Sequence, residues 1–289
     1  MSLADEPTSG RAVDSAATAY GGGVHPIEHL RYVARARGAD PAHLAREAAS
    51  ALGSLRADHA NLVVASRRIV GRHPEAGQLW WLCSRLLVAD DPARLAWDLA
   101  DVLDDDPVAD SLAGALPAEA TVVTVGNPSV IADGLVRRDD LRVWCVDSEY
   151  GAGDLMRRLE RFDIDCEPIA TEQLARAAAA ADVVLIQAAA ACAGRVLAPV
   201  GSQVVAAVGR SAGTPVWLVA GTGTRLPARY VEEIAGRVVA DDDWSGAVDD
   251  VPLDLVDRIV NDDGVVPAAD VALRPDCPFA PELLRPGVI

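Results

Sequence analysis

The chain has 289 residues, 26 basic and 43 acidic side chains and a net charge of -17, and every base is arginine, since no lysine occurs from Met1 to Ile289. The missing amine excludes Schiff-base chemistry, a Walker phosphate loop and a protein-kinase site. The acidic balance argues against direct nucleic-acid binding and against a polybasic membrane-surface protein, because both need a positive field.

At 51% hydrophobic residues the chain can bury a large core, and its length suits one large or two ordinary domains. Cys83, Cys145, Cys166, Cys192 and Cys277 form no CxxC pair, so neither a disulfide framework nor a zinc site is expected, and a reducing cytoplasm fits. Residues 1–24 are small, polar and glycine-rich without the pattern of a secretory signal, and are expected to be a mobile tail. The uncharged run Val183 to Gly194 is too short to span a bilayer.

Over residues 25–104 the apolar residues recur at helical spacing. Helices are predicted at Pro26 to Arg37, Pro41 to Leu52, Asp58 to Gly71, Glu75 to Val88 and Pro92 to Leu103. Asp40-Pro41 and Asp91-Pro92 place a capping carboxylate before a proline whose missing N–H costs nothing at the first helical position. Trp80-Trp81 reads as a packing anchor within this helical part. Residues 105–117, acidic and proline-punctuated, read as a linker, and the runs Asp104 to Asp106 and Asp241 to Asp243 as solvated surface.

Residues 118–289 change character. Thr121 to Val125, Leu141 to Val146, Ile164 to Ile169, Val183 to Ile186 and Pro215 to Ala220 are apolar on both faces, the pattern of strands covered on both sides. Helices are predicted between and after them at Ser129 to Arg137, Asp154 to Phe162, Thr171 to Ala180, Gly201 to Ser211 and Ala228 to Ala235. The alternation predicts an α/β fold in which a helical N-terminal domain precedes a Rossmann-like parallel sheet with its ligand rim at the carboxyl ends of the strands. The loops Gly126 to Ser129, Asp147 to Asp154, Gln187 to Ala190, Pro199 to Ser202 and Gly221 to Pro227 should converge there.

Ser129 and Ser202 begin two of the helices, where free N–H groups and the helix dipole favour an anion; ordinary capping gives the same pattern. The segment Gly151 to Met156 lacks the third glycine of a dinucleotide fingerprint, so no cofactor is expected. Cys145 and Cys192 read as buried, inert thiols. The histidines, His25, His29, His43, His59 and His73, all precede the sheet, which weakens any Ser-His or Cys-His arrangement, although His59 could approach the rim if the helical part folds over it.

Three stretches, Leu55 to Leu62, Ala181 to Pro227 and Val251 to Val271, resemble the translation initiation factor 2B alpha/beta/delta family, which includes methylthioribose-1-phosphate isomerase and ribose-1,5-bisphosphate isomerase. The resemblance implies a helical N-terminal domain, a Rossmann-like C-terminal domain and a dimer formed mainly through the latter. It also implies a catalytic cysteine where this chain has Gly126 and a catalytic aspartate where it has Ala189. The family's substrate-contacting Asn-Lys becomes Ala198-Pro199, and its Glu-Ser/Thr-Arg-Pro becomes Asp147-Ser148-Glu149-Tyr150. Arg56 and Asn61 keep their types, as does the glycine-hydroxyl pair Gly201-Ser202.

A positioned acid or base is worth about a hundred- to ten-thousand-fold in rate, and glycine and alanine can supply neither. The expectation is therefore a non-catalytic member that senses a small phosphorylated metabolite or serves regulation or assembly. Ligand-binding candidates are Arg56, Asn61, Asn127, Ser129, Asp147, Ser148, Glu149, Gln187, Gly201 and Ser202, and no metal is expected. The alternatives are a sugar-phosphate isomerase with a relocated site using Asp147, Glu149 or Cys192, and an acidic scaffold whose role is protein contact.

Overall fold

The computed structural model describes residues 40–54, 58–147, 151–238, 248–270 and 273–285. The predicted helix at Pro26 to Arg37 and the acidic run Asp241 to Asp243 lie outside them. The helical part comprises α1 (Pro41–Ser54), α2 (His59–Arg72), α3 (Gly77–Leu87) and α4 (Pro92–Asp104). Asp40, Asp58 and Asp91 cap three of these, each accepting from a backbone N–H three residues on, at 2.9, 2.9 and 3.1 Å. Helix α3 is buried around almost its whole circumference, which follows from its apolar sequence and from its place between α1, α2 and α4 and the sheet-bearing part.

The main sheet has seven strands in the order β10-β9-β7-β4-β1-β2-β3. These are β1 (Thr121–Val125), β2 (Arg142–Val146), β3 (Asp165–Ile169), β4 (Val183–Gln187), β7 (Val216–Val219), β9 (Arg258–Asn261) and β10 (Gly264–Pro267). All neighbours are parallel except β10, which turns back antiparallel on β9. The two-sided apolar pattern has a direct cause in the packing. Val122, Val183 and Leu185 face α5 (Pro107–Ala115), α6 (Ser129–Leu135) and α7 (Ala152–Glu160), while Val123, Val184 and Ile186 face α8 (Leu174–Ala180) and α9 (Ser202–Ala212).

Several elements differ from the sequence reading, β9 and β10 among them, since neither was predicted. The stretch read as a linker folds as helix α5, capped by Asp106 and packed against α6. Asp106 is accordingly half-buried, and burial raises the pKa of its carboxyl above the ordinary value, so the reading of Asp104 to Asp106 as solvated surface fails at this residue. After β4 the chain makes a hairpin, β5 (Ala190–Cys192) and β6 (Arg195–Pro199), which β8 (Val248–Val251) extends into a second, antiparallel sheet.

The helical part shares one core with β5, β6, α10 (Ala228–Val238) and the C-terminal segment Cys277 to Leu284. Trp80 and Trp81 are completely enclosed there, with the Trp80 indole N–H donating to the Pro74 carbonyl at 3.0 Å. The C-terminal segment ties the two parts together. Arg67 of α2 donates to the Glu282 carbonyl at 2.6 Å, and Ser84 of α3 bonds both the Pro278 carbonyl and the Tyr230 hydroxyl.

Tyr230 is the centre of this knot. Its hydroxyl accepts from the Ala280 N–H at 2.7 Å and donates to the Ala280 carbonyl at 2.9 Å, its ring packs against Trp80 and Phe279, and burial pushes the phenol up to about 12. Tyr230→Phe strands the Ala280 N–H in the core, and urea denaturation is expected to show a loss of about 1–3 kcal/mol. A loss below a few tenths would mean that water replaces the hydroxyl.

Candidate functional site at the strand ends

A parallel sheet turns its helix N-termini toward one rim, where unbonded N–H groups invite an anion. In this chain side chains already accept from such groups at the starts of α6 and α9 and in the loop after β7, whereas the start of α7 has no side-chain cap. The Gln187 side-chain oxygen, at the end of β4, accepts from the Val130 and Ile131 N–H groups at 2.9 and 3.2 Å, occupying the first turn of α6. The Asp249 carboxylate on β8 accepts from Gly201 and Gln203 at 2.8 and 2.9 Å, occupying the start of α9. In the loop after β7, Asp106 accepts from the Thr222 N–H at 2.8 Å and its hydroxyl at 3.0 Å. Asp276 accepts from the N–H groups of Gly223 and Arg225 at 3.2 and 3.4 Å.

The rim arginine is neutralised in the same way. Arg225 is 12% exposed and pairs with both Asp262 and Asp276 at 2.6 Å. Burial raises the Asp276 pKa against the lowering effect of that guanidinium. A phosphate approaching this loop would meet Asp106, Asp262 and Asp276 before any uncommitted cation.

The helical part closes over the same rim. The Gly77 N–H at the start of α3 donates to the Ala189 carbonyl at 3.2 Å, and a Cβ on Gly77 would stand 2.2 Å from that oxygen, so only glycine permits the approach. The Trp81 ring packs against Gly223. Gly126, which ends β1, has φ +70°, a left-handed conformation that a side chain at this position would strain.

An open cleft of about 870 Å³ remains beside the rim, between α1 and α4 on one side and α6 and α7 on the other. Its walls are charged. Arg46 pairs with Asp104, Arg157 with Asp154 and Arg158 with Asp133, while Arg161 makes no ion pair among the described residues. Two polar atoms on the α1 wall, Asp40 Oδ1 and Arg46 Nε, are shut off from solvent without a hydrogen-bond partner. Asn127 and Ser129 stand at the cleft's edge.

The predicted residues are thus only partly brought together. Asn127 and Ser129 reach the cleft, Gln187 lies behind them as an internal cap, and at Gly201-Ser202 the Gly201 N–H is taken by Asp249 while Gly201 stands beside Val125. Of the two readings open for the Ser129 and Ser202 helix starts, an anion site or ordinary capping, internal capping accounts for the N–H groups of Val130, Ile131, Gly201 and Gln203. Asn61 is exposed on α2 and is not among the residues lining the cleft; Asp147 is exposed at the end of β2. Arg56, Ser148 and Glu149 lie outside the described residues. His59 is exposed at the start of α2 and is not among the residues lining the cleft.

Cys145 is buried in β2 and pushed up to about 12 by desolvation, the state of an inert thiol, and Cys192 is buried in the shared core. Among the described residues no group of three His, Cys, Asp or Glu side chains could hold a metal ion, and no helix is long and apolar enough to cross a membrane. Asp249, Asp106 and Asp276, which decide the electrostatics of the rim, were not legible as site residues, because each acts on a loop distant in sequence.

No protein-family model matches the sequence, and no curated protein matches it. Solved structures do. The translation initiation factor eIF-2B of Pyrococcus horikoshii OT3 is 18% identical, with a TM-score of 0.70 over 83% of this chain and 96% of its own. The tetrameric eIF2B-beta2-delta2 complex from Chaetomium thermophilum gives 0.65 at 14% identity over 86% and 91%, and eIF2B beta from the same organism 0.62 at 13% over 84% and 88%. At these identities the likeness is one of fold, and the chain has the fold of the initiation factor 2B alpha/beta/delta subunits, helical part and mostly parallel sheet together.

Proposed function

We propose that this chain is a non-catalytic protein of the initiation factor 2B-like fold, serving in regulation or assembly and responding to a small phosphorylated metabolite. The observation that carries this reading is the occupation of the rim's N–H groups by Gln187, Asp106, Asp249 and Asp276. The absence of proton-transfer groups at Gly126 and Ala189, where the family resemblance expects cysteine and aspartate, supports it independently. Both positions are structurally committed, one to a left-handed backbone and the other to the Gly77 contact.

The ligand site assigned to this function is the cleft beside the rim. Arg161, which makes no ion pair among the described residues, offers a donor to an anion, and Asn127 and Ser129 at the cleft's edge offer polar groups to hydroxyls, the combination a phosphorylated polyol would use. The partner assigned is a second copy of the chain, joined through the sheet-bearing part, and the setting is the cytoplasm. The tetrameric complex of the fungal beta and delta chains shows that this fold supports assembly in that case.

Purified protein is expected to give no isomerisation of methylthioribose-1-phosphate or ribose-1,5-bisphosphate above the uncatalysed rate, and Gly126→Cys/Ala189→Asp is expected not to restore it. Turnover at an enzyme-like rate by the unaltered chain would overturn the non-catalytic reading and favour a relocated site. Asp249→Ala uncaps α9 and is expected to cost about 0.5–2 kcal/mol. Inorganic phosphate at millimolar concentration should then raise the melting temperature of Asp249→Ala more than that of the parent, whereas equal shifts would mean that Asp249 does not guard an anion site.

A further inference from the structure

Helix α4 turns one face to solvent. Its exposed positions, Arg94, Trp97, Asp98, Asp101 and Val102, continue to Asp105 in the i, i+3, i+4, i+7, i+8, i+11 order of a single helical stripe. The opposite face, Ala96, Leu99, Ala100 and Leu103, is buried, so the helix needs neither Trp97 nor Val102 for its core; yet both are large and apolar, 50% and 43% exposed. Trp97 is held in place because its indole nitrogen lies close over Gly53 of α1, which fixes the ring while leaving half of it in water. Asp98, Asp101 and Asp105 make no ion pair among the described residues.

We propose that this face docks an arginine- or lysine-rich segment of a partner protein. An exposed indole followed along the stripe by the uncommitted carboxylates Asp98, Asp101 and Asp105, with Arg94 on its other side, combines a surface for a cation over the ring with charge partners at successive helical turns C-terminal to it. The stripe is about 16 Å long, from eleven steps of about 1.5 Å, which an extended segment of about five residues would span. Charge complementarity selects the occupant. A second copy of this chain brings a net charge of -17 and no lysine, and nucleic acid brings more negative charge, so both are repelled where a basic segment is attracted.

The probe is fluorescein-labelled octa-arginine, titrated against the full chain by anisotropy at low and physiological salt. Because any acidic protein attracts this peptide, the comparison is between charge-matched variants. Asp98→Asn/Asp101→Asn/Asp105→Asn is expected to weaken binding about ten-fold, and Trp97→Ala about three-fold, consistent with an exposed cation–π contact. The control Glu172→Gln/Asp254→Asn/Asp263→Asn, which removes the same charge from exposed sites elsewhere, is expected to change binding less than two-fold. Equal weakening by the two triple variants, or no effect of Trp97→Ala, overturns the proposal, since binding then follows net charge alone. So does a change in the mass of the free protein caused by the α4 variants, which would assign the stripe to self-association.

Discussion

The N–H groups that a parallel sheet's helices turn toward its rim are its readiest anion ligands, and this structure depends on its own side chains accepting from those at α6, α9 and the loop after β7. Gln187 and Asp249 reach the starts of α6 and α9, and Asp106 and Asp276 reach the loop after β7. Each contact satisfies a backbone donor that burial would otherwise make costly, and each carboxylate also gains from the positive end of a helix or from the cluster of N–H groups it accepts. The same contacts remove the rim's capacity to hold a foreign anion, because an incoming phosphate must displace a tethered carboxylate and then remain beside its charge.

The docking of the helical part follows from the same surface. Once the rim needs no ligand, backbone can approach it closely, and Gly77 on Ala189 and Trp81 against Gly223 are such approaches. They extend one continuous core from α1 through Trp80 and Tyr230 to the C-terminal segment, which bonds to both parts. The charged cleft between α1, α4, α6 and α7 is what this closure leaves open.

Much of the fold was legible because its periodicity has a local cause. Strands β1, β4 and β7 are apolar on both faces since helices cover both, and Asp-Pro pairs announced α1 and α4. Helix α5 was missed although Asp106-Pro107 is the same signal, because the surrounding aspartates resembled a linker. Strands β9 and β10 were also missed, although Asp263-Gly264 at their turn is a hairpin signal, and β5 is three residues inside an alanine run with no period to read. The site was less legible than the fold. Seen alone, Gly201-Ser202 looks like an open anion cradle, and only tertiary structure brings in Asp249 from 48 positions away.

The central claim is that the rim binds its own side chains and no phosphate. Its most direct test is the amide spectrum of labelled protein titrated with inorganic phosphate and with ribose-1,5-bisphosphate. The account predicts unmoved resonances for Val130, Ile131, Gly201, Gln203 and Gly223, with any shifts confined to residues lining the cleft such as Arg46 and Arg161. Saturable shifts of the Gly201 and Gln203 amides would contradict it, because they would show Asp249 displaced by a ligand.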